Sequence, residues 1–233
     1  MVPENDLDLL SDHAGTIWIS PSFSLHDKPK LTLYMNAKWG PANKRLDRLE
    51  KFARYLAAEA HWRKFAALAK EEMEPLGVAV TLSGDSQPTG RIYMSTFGRR
   101  VDYFMNIARA LTQCAFDTLF ERYAAITLGE ACKYPTQSAV CSIGVSSAAD
   151  PDLKIELCGH CAFTSDLEAR ARCLDWLAHM KVNPTPYLDL LEILSEDQLS
   201  STSSVMHAYA GLGVKRNQPY TTIYLKPNPT YTA

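Results

Sequence analysis

The sequence has no apolar run of 18 residues, so it predicts no membrane-spanning helix. Its net charge is only -2, which provides no global field that would attract nucleic acid or an anionic membrane. Any basic surface therefore has to be local. The first residues, Met1 to Asp8, are acidic and lack the basic start and the apolar centre of a signal peptide. We expect a cytoplasmic protein with neither a nucleic-acid nor a membrane partner.

Cysteine is also scarce, with 6 residues in a chain of 233. This is too few for a disulfide scaffold, and Cys114 and Cys173 lie in helical patterns, where we expect buried thiols in a reducing compartment. The segment Cys158-Gly-His160-Cys161 contains a CxxC pair, which is half of a common zinc site. Because no second pair follows, the pattern favours packing at the end of a strand over zinc, and we predict no metal site.

What the chain does contain is a strand pattern that recurs four times. The segments 30–36, 90–95, 153–158 and 219–226 all alternate between apolar and polar residues with a period of two. Aliphatic side chains occupy one face of each strand. The other face carries cations, tyrosines and one acid, namely Lys30, Tyr34, Arg91, Tyr93, Lys154, Glu156, Tyr220, Tyr224 and Lys226.

This polar face differs from the mixture of Lys, Glu, Thr and Gln that is usual on a solvated strand. For any single strand, an ordinary solvated face remains the better interpretation. Because cations and phenols recur at equivalent positions on four strands, those strands would form a basic, aromatic surface if they share one sheet.

The predicted elements follow the order strand, strand, helix, helix, with hairpins at intervals of roughly 60 residues. Hairpins are predicted at 17–25/30–38, 78–83/90–97, 138–146/153–160 and 205–215/220–226. Helical segments are predicted over 43–73, as one helix or two, and over 101–128, 165–180 and 186–194. The segment 165–180 begins at a capping box formed by Ser165 and Glu168. We predict an α+β fold, an antiparallel β-barrel with a polar lumen surrounded by α-helices, formed as a single domain over 1–233.

In such a barrel the polar faces point inward and the aliphatic faces point outward to the helices. Buried cations require anionic partners, and Lys and Arg bind phosphates through charge-assisted hydrogen bonds. Tyrosine rings attract a nearby cation. One chamber can therefore hold a diphosphate and shield the allylic carbocation that forms as the diphosphate departs.

The segments Lys30-Leu-Thr-Leu-Tyr34, Arg91-Ile-Tyr93 and Lys154-Ile-Glu156, in this order within four ββ-αα units, resemble the ABBA (PT-barrel) aromatic prenyltransferases. The resemblance is to the dimethylallyltryptophan-synthase type, particularly the bacterial indole prenyltransferases, whose strands carry Lys-x-Tyr or Arg-x-Lys-x-Tyr and bind dimethylallyl diphosphate. It extends over about residues 16–227. Arg91-Ile-Tyr93 matches that motif directly, whereas Lys154-Ile-Glu156 replaces the tyrosine.

The family has five such units, and four are visible in this chain. The first unit is the missing one, and in the family it supplies the glutamate that holds and deprotonates the indole N–H. The remaining positions suggest Glu156 and His207 as catalytic proton acceptors. A counter-charge for Lys154 and a buried, hydrogen-bonded histidine are equally good interpretations of these two residues.

The resemblance implies further roles on the polar faces. Diphosphate binding is expected of Lys30, Arg91, Lys154, and Lys215 or Arg216. Shielding of the carbocation is expected of Tyr34, Tyr93, Tyr209, Tyr220 and Tyr224. Trp18 is the candidate for stacking on the acceptor.

The implied reaction is Friedel–Crafts transfer of a dimethylallyl group from its diphosphate to an electron-rich ring, with indole or a tryptophan derivative as the expected acceptor. The partners are then an isoprenyl diphosphate and an aromatic small molecule or peptide, with a homodimer as an open option. No cofactor is expected. Magnesium is not required, because the Lys and Arg side chains take the role that magnesium bound to Asp-rich motifs has in isoprenyl synthases. No DDxxD motif occurs here. The alternative is a non-catalytic anion- or isoprenoid-binding barrel, or an interaction subunit.

Overall fold

A computed structural model of the chain describes residues 17–22, 28–38, 41–69, 73–84, 87–97, 101–111, 116–129, 136–145, 152–195, 199–204, 206–215 and 217–226. The strands in these ranges are β1 (Ile17–Ser22), β2 (Lys30–Asn36), β3 (Met73–Leu82), β4 (Thr89–Phe97), β5 (Thr136–Val145), β6 (Asp152–Cys158), β7 (His207–Lys215) and β8 (Gln218–Leu225). The helices are α1 (Arg45–Tyr55), α2 (Glu59–Ala69), α3 (Val101–Leu111), α4 (Phe116–Leu128), α5 (Gly159–Ala162), α6 (Asp166–His179) and α7 (Thr185–Ser195).

The strands form one sheet in which neighbours follow the order of the chain, from β1 to β8. The pairs β1–β2, β2–β3, β6–β7 and β7–β8 are antiparallel. This confirms the predicted antiparallel sheet made from successive hairpins with helices between them. Among the described residues, no helix combines the length and the apolar character that crossing a bilayer requires.

The chain divides into two compact units, which are described separately. The first unit comprises Met1–Ser95 and Ser142–Pro151, and the second comprises Thr96–Cys141 and Asp152–Ala233. This division leaves the single domain over 1–233 a prediction.

The core of the first unit is formed by the inner faces of α1 and α2, which bury Leu49, Phe52, Trp62 and Phe65. These residues recur at helical spacing, which places them on one side of each helix. Strand β4 approaches α1 closely, since a Cβ atom at Gly90 would lie 3.0 Å from the Phe52 ring. The apolar face of β4 is therefore the face that packs on the helices.

The core of the second unit contains a row of aromatic rings on the helices. The ring centroids of Phe104 and Phe120 lie 6.1 Å apart, those of Phe120 and Tyr123 6.2 Å apart, and those of Tyr123 and Trp176 5.0 Å apart. Two polar atoms of this row bind the sheet. Tyr123 donates to the Ala210 carbonyl at 2.7 Å, and Trp176 Nε1 donates to Thr221 Oγ1 at 2.8 Å. The apolar faces of β7 and β8 therefore face the helices.

Two predicted boundaries are wrong. The helix predicted over 43–73 ends at Ala69, and Met73 already belongs to β3, which includes Pro75 and Gly77. Pairing explains this, because Gly77 and Val78 lie opposite Asn36 and Met35 on β2. The helix predicted over 101–128 is found as α3 and α4, whereas the division of 43–69 into two helices had been left open.

The predicted capping box at the start of α6 is confirmed. Ser165 Oγ accepts a hydrogen bond from the Glu168 N–H at 3.1 Å. The Glu168 carboxylate in turn accepts hydrogen bonds from the N–H and the hydroxyl of Thr164, which lower the pKa of this carboxyl despite its partial burial. These contacts satisfy donors that the first helical turn would otherwise leave unpaired.

Candidate functional site

The polar face of the second unit follows from the register of β6, β7 and β8. Directly opposed residues of antiparallel strands lie on the same face of the sheet. Three rows cross the strands, and we call them together the Lys154 face: Lys154–Gly213–Tyr220, Glu156–Gly211–Thr222 and Cys158–Tyr209–Tyr224.

Lys154 and Glu156 form a buried ion pair on this face. The Lys154 Nζ lies 2.8 Å from Glu156 Oε1, and the two residues are 4% and 5% exposed. The same ammonium donates to the Tyr224 hydroxyl at 2.7 Å. It lies 5.0 Å from the centroid of that ring, so it sits beyond the hydroxyl end and the hydrogen bond dominates the contact. Removing either partner of this buried ion pair would be strongly destabilising, because the other partner would remain as an uncompensated buried charge.

Two polar groups on the Lys154 face remain available to a ligand. An ammonium has three N–H donors, and within the described part of the chain Lys154 has two partners, Glu156 and Tyr224. The Thr222 hydroxyl is buried and has no hydrogen-bond partner in the same part of the chain. A buried hydroxyl without a partner is costly. Both groups therefore suit a ligand that brings acceptor oxygens.

Two glycines of β7 make room for the larger side chains beside them. A Cβ atom at Gly213 would lie 2.4 Å from Cζ of Tyr220, and one at Gly211 would lie 3.0 Å from Cγ of Glu156. The Tyr220 ring thus covers the backbone of β7, and its hydroxyl donates to Asp152 Oδ1 at 3.0 Å. Sequence reasoning missed these glycines, although alternating glycines within a strand are a signal of close approach.

Tyr209 and Tyr224 make an edge-to-face pair on this face, with ring centroids 6.4 Å apart. Burial raises the pKa of the Tyr209 phenol, and the nearby Cys158 and Glu156 raise it further. The phenol is therefore neutral at physiological pH, and its ring keeps the negative π-face that attracts a cation.

The first unit has a polar face of the same type but with less burial. Thr32, Tyr34, Ala79, Thr81, Arg91 and Tyr93 form it, and we call it the Arg91 face. The Thr32 and Thr81 hydroxyls lie 2.9 Å apart across β2 and β3, and the rings of Tyr34 and Tyr93 lie 6.3 Å apart. Arg91 Nη1 donates to Ser142 Oγ at 3.0 Å. The arginine and both tyrosines are half-buried.

The comparisons with known proteins identify the fold. No protein-family model matches the chain, and no curated protein matches its sequence. Among solved structures, 5-dimethylallyltryptophan synthase from Streptomyces coelicolor superposes with a TM-score of 0.81 over 99% of this chain at 19% identity. The 6-dimethylallyltryptophan synthase from Micromonospora olivasterospora does so with a TM-score of 0.78 over 91% of the chain at 18% identity. AnaPT from Neosartorya fischeri superposes with a TM-score of 0.68 over 91% of this chain at 15% identity.

The chain has the ABBA prenyltransferase fold. It spans 68%, 62% and 56% of the lengths of these three structures, respectively. This partial span is consistent with the predicted absence of one repeat of the PT barrel. The resemblance inferred from the strand motifs is thus confirmed at the level of the fold.

Within this PT-barrel fold, His207, one of the two candidate proton acceptors, lies on the helix side of the sheet and not on the Lys154 face. Its Nδ1 lies 2.9 Å from Asp166 Oδ1 on α6, and its Nε2 lies 2.9 Å from the Tyr187 hydroxyl on α7. The cause is an irregularity of β7, where His207 and Tyr209 oppose the adjacent residues Leu225 and Tyr224 of β8. This extra residue turns His207 to the helix face, away from Tyr209. The histidine is buried and hydrogen-bonded, which was the alternative interpretation.

The remaining predicted residues divide into four groups. Arg91, Tyr34 and Tyr93 come together on the Arg91 face, and the Lys154 face unites Lys154, Glu156, Tyr209, Tyr220 and Tyr224. Lys30 and Lys215 lie exposed at strand ends. The side chain of Trp18 and all of Arg216 lie outside the described part, although the backbone of Trp18 pairs with Tyr34.

Proposed function

We propose that this chain is an aromatic prenyltransferase that moves a dimethylallyl group from its diphosphate to an electron-rich ring. The observation that supports this most directly is the Lys154 face, where a buried ammonium, bound within the described residues by Glu156 and Tyr224 alone, lies among tyrosines. The fold supports it as well, since the Micromonospora synthase structure of the same fold is a complex with DMASPP and Trp. Indole or a tryptophan derivative is accordingly the proposed acceptor.

In the proposed reaction, the allylic C–O bond breaks and the electron pair leaves with the diphosphate. Lys154 donates a charge-assisted hydrogen bond to a departing oxygen, which stabilises the charge that develops there. Diphosphate binding by Arg91 is proposed from its sequence motif, Arg91-Ile-Tyr93. Tyr209, as a neutral phenol, and Tyr224 offer ring faces to the allyl cation. The acceptor carbon then forms a bond to the allyl carbon, and Glu156 takes the proton that restores aromaticity. These cations fulfil the role that magnesium has in isoprenyl synthases.

The test is calorimetric titration with the unreactive thiolodiphosphate analogue of dimethylallyl diphosphate, in the absence of magnesium. The variants are Arg91→Ala and, as a matched control, Arg63→Ala, an exposed helix arginine whose guanidinium lies 2.7 Å from Glu50. A charged hydrogen bond contributes about 1.5–3 kcal/mol, so Arg91→Ala should weaken binding about 10-fold or more. The control should bind like wild type. Folded wild-type protein that does not bind the analogue would refute the diphosphate assignment.

A second candidate is a non-catalytic binder of the same ligand. It is favoured by the pairing of Glu156 with Lys154, which occupies the proposed base. Incubation with dimethylallyl diphosphate and tryptophan or indole, followed by mass analysis of the acceptor, distinguishes the two. A mass gain of one dimethylallyl group supports the enzyme. Analogue binding without any product supports the binder.

A further inference from the structure

Three soft metal ligands lie together where β6 passes into α5. They are Cys158, His160 and Cys161, and their ligand atoms all lie within 4.8 Å of one another. The Cys158 Sγ is already 3.0 Å from His160 Nδ1. Ligand atoms of a tetrahedral zinc ion lie about 3.5–4 Å apart, given Zn–S and Zn–N bonds of about 2.3 and 2.0 Å. The three atoms therefore need to shift by only about 1 Å to share one ion.

The turn that carries these ligands is fixed on both sides. Gly159 presses against β7, where a Cβ atom would lie 1.9 Å from the His207 carbonyl oxygen. Behind it, the Phe163 N–H donates to the Gly159 carbonyl at 2.9 Å and closes the turn of α5. His207 is itself held by Asp166 and Tyr187. A glycine is required here because any side chain would push the turn off the sheet, so the ligand positions are largely preorganised.

Access to the cluster is also suitable for a metal ion. Cys158 is buried, whereas His160 and Cys161 are exposed, so an ion can enter from solvent while one ligand anchors it to the sheet. Three protein ligands leave the fourth tetrahedral position to water or to an exogenous group. A second CxxC pair is therefore not needed, because the histidine between the two cysteines supplies the third ligand.

The same Cys-x-x-Cys pair is a candidate for disulfide exchange, and the burial of one of its thiols argues against it. Cys158 is buried, whereas Cys161 is exposed. Reactive redox cysteines lie in partially exposed, electropositive environments. A metal ion, by contrast, displaces the thiol proton directly on binding.

We propose that Cys158, His160 and Cys161 bind one thiophilic divalent metal ion. Zn²⁺ fits best, since a set of two thiolates and one imidazole in tetrahedral arrangement is typical of zinc. The ion would tie the end of β6 to α5. With two thiolates bound the site carries no net charge, and it lies beside Tyr209, which is opposite Cys158 at the end of the Lys154 face.

The test uses the reduced, metal-free full chain, titrated anaerobically with Co²⁺ and then with Zn²⁺. We expect a thiolate-to-cobalt charge-transfer band and the d–d bands of tetrahedral cobalt, saturating at one equivalent and displaced by Zn²⁺. Cys161→Ser and His160→Asn change exposed residues, so their folding is not at risk. Loss of an outer-shell partner alone costs about 10–100-fold in affinity, so loss of either ligand should weaken binding roughly 100-fold or more.

Cys173→Ala is the matched control, since Cys173 is a buried thiol on α6 outside the cluster, and it should bind like wild type. The proposal is overturned if the folded, reduced chain shows no cobalt–thiolate band at one equivalent. It is equally overturned if Cys161→Ser retains the affinity of wild type, or if the spectrum depends on Cys173. A thiol count after each titration excludes loss of the ligands to a disulfide.

Discussion

Strands β2 and β6 carry the same alternation of cations and aliphatic residues, yet their environments differ. Lys30 and Leu31 on β2 are exposed, whereas Leu153 and Lys154 on β6 are buried. Ile19, Leu31 and Leu82, on the apolar face of β1 to β3, are 65%, 38% and 41% exposed. On β6 the corresponding face contacts α3. The comparison shows that the pattern of a strand assigns faces to residues, while neighbouring elements determine whether those faces lose contact with water.

The largest expected effect is that of removing one member of the buried ion pair. Glu156→Ala leaves the Lys154 ammonium buried without a counter-charge, which should lower the free energy of unfolding by about 3–5 kcal/mol. Urea denaturation followed by circular dichroism measures this. Glu50→Ala, which removes a partly exposed carboxylate from α1 in the first unit, is the matched control and should cost about 1 kcal/mol or less.

The double variant Lys154→Met/Glu156→Leu sharpens this prediction. Replacing both charges by apolar residues of similar volume should restore stability to near the wild-type value. The same variant should lose affinity for the thiolodiphosphate analogue if Lys154 binds diphosphate. A double variant as unstable as Glu156→Ala would contradict the ion-pair explanation.

The next effect concerns the glycines of the two units. Gly213→Ala introduces a Cβ 2.4 Å from the Tyr220 ring and should cost about 1–3 kcal/mol, because the ring has to leave β7 and its hydrogen bond to Asp152. Gly77→Ala in β3 meets its nearest atom, the Met35 carbonyl oxygen, at 3.1 Å and should cost less. Thermal unfolding of both variants provides the comparison, and the reverse order would show that the Tyr220 position is adaptable.

A third effect depends on pH and belongs to the second unit. Burial lowers the pKa of His207 below its ordinary value of 6.5, although the hydrogen bond to Asp166 opposes this shift. Above pH 6.5 the imidazole is neutral in both states and contributes nothing to the pH dependence. Below pH 6.5 the imidazole takes up a proton in the unfolded chain but stays neutral in the folded chain. The free energy of unfolding therefore decreases as the pH is lowered, by up to about 1.4 kcal/mol per pH unit.

His207→Gln should reduce this slope in denaturation curves measured between pH 7 and pH 5. A slope unaffected by His207→Gln would mean that other groups cause the loss of stability in acid.

The smallest expected effect is that of Arg91→Ala on stability. The side chain is half-buried and donates to Ser142, and one hydrogen bond contributes about 1 kcal/mol net. Arg91→Ala should therefore lower the free energy of unfolding far less than Glu156→Ala does, even though the affinity of Arg91→Ala for the thiolodiphosphate analogue should fall. Chemical denaturation of the two variants in parallel checks this, and a loss above about 3 kcal/mol would indicate that the Arg91 face is as buried as the Lys154 face.

Sequence reasoning predicted more of the fold than of the site. The eight strands, their pairing in hairpins and the capping box of α6 follow from local patterns, and the structure has them. The start of β3 was missed because Pro75 and Gly77 normally interrupt regular structure, whereas pairing with β2 overrides that local tendency. The position of His207 was missed because an extra residue in β7 reverses the alternation, and no local signal marks it.

The sequence by itself determined which side chains share a strand face, because successive residues of a strand point to opposite sides. It thereby placed Lys154 with Glu156 and Arg91 with Tyr93. Only the tertiary structure decided that the lysine pair is buried against Tyr224, that Thr222 has no hydrogen-bond partner among the described residues, and that Cys158, His160 and Cys161 converge. The physical reason is that burial and contact depend on strands and helices far apart in the chain, whose packing no single period of the sequence encodes.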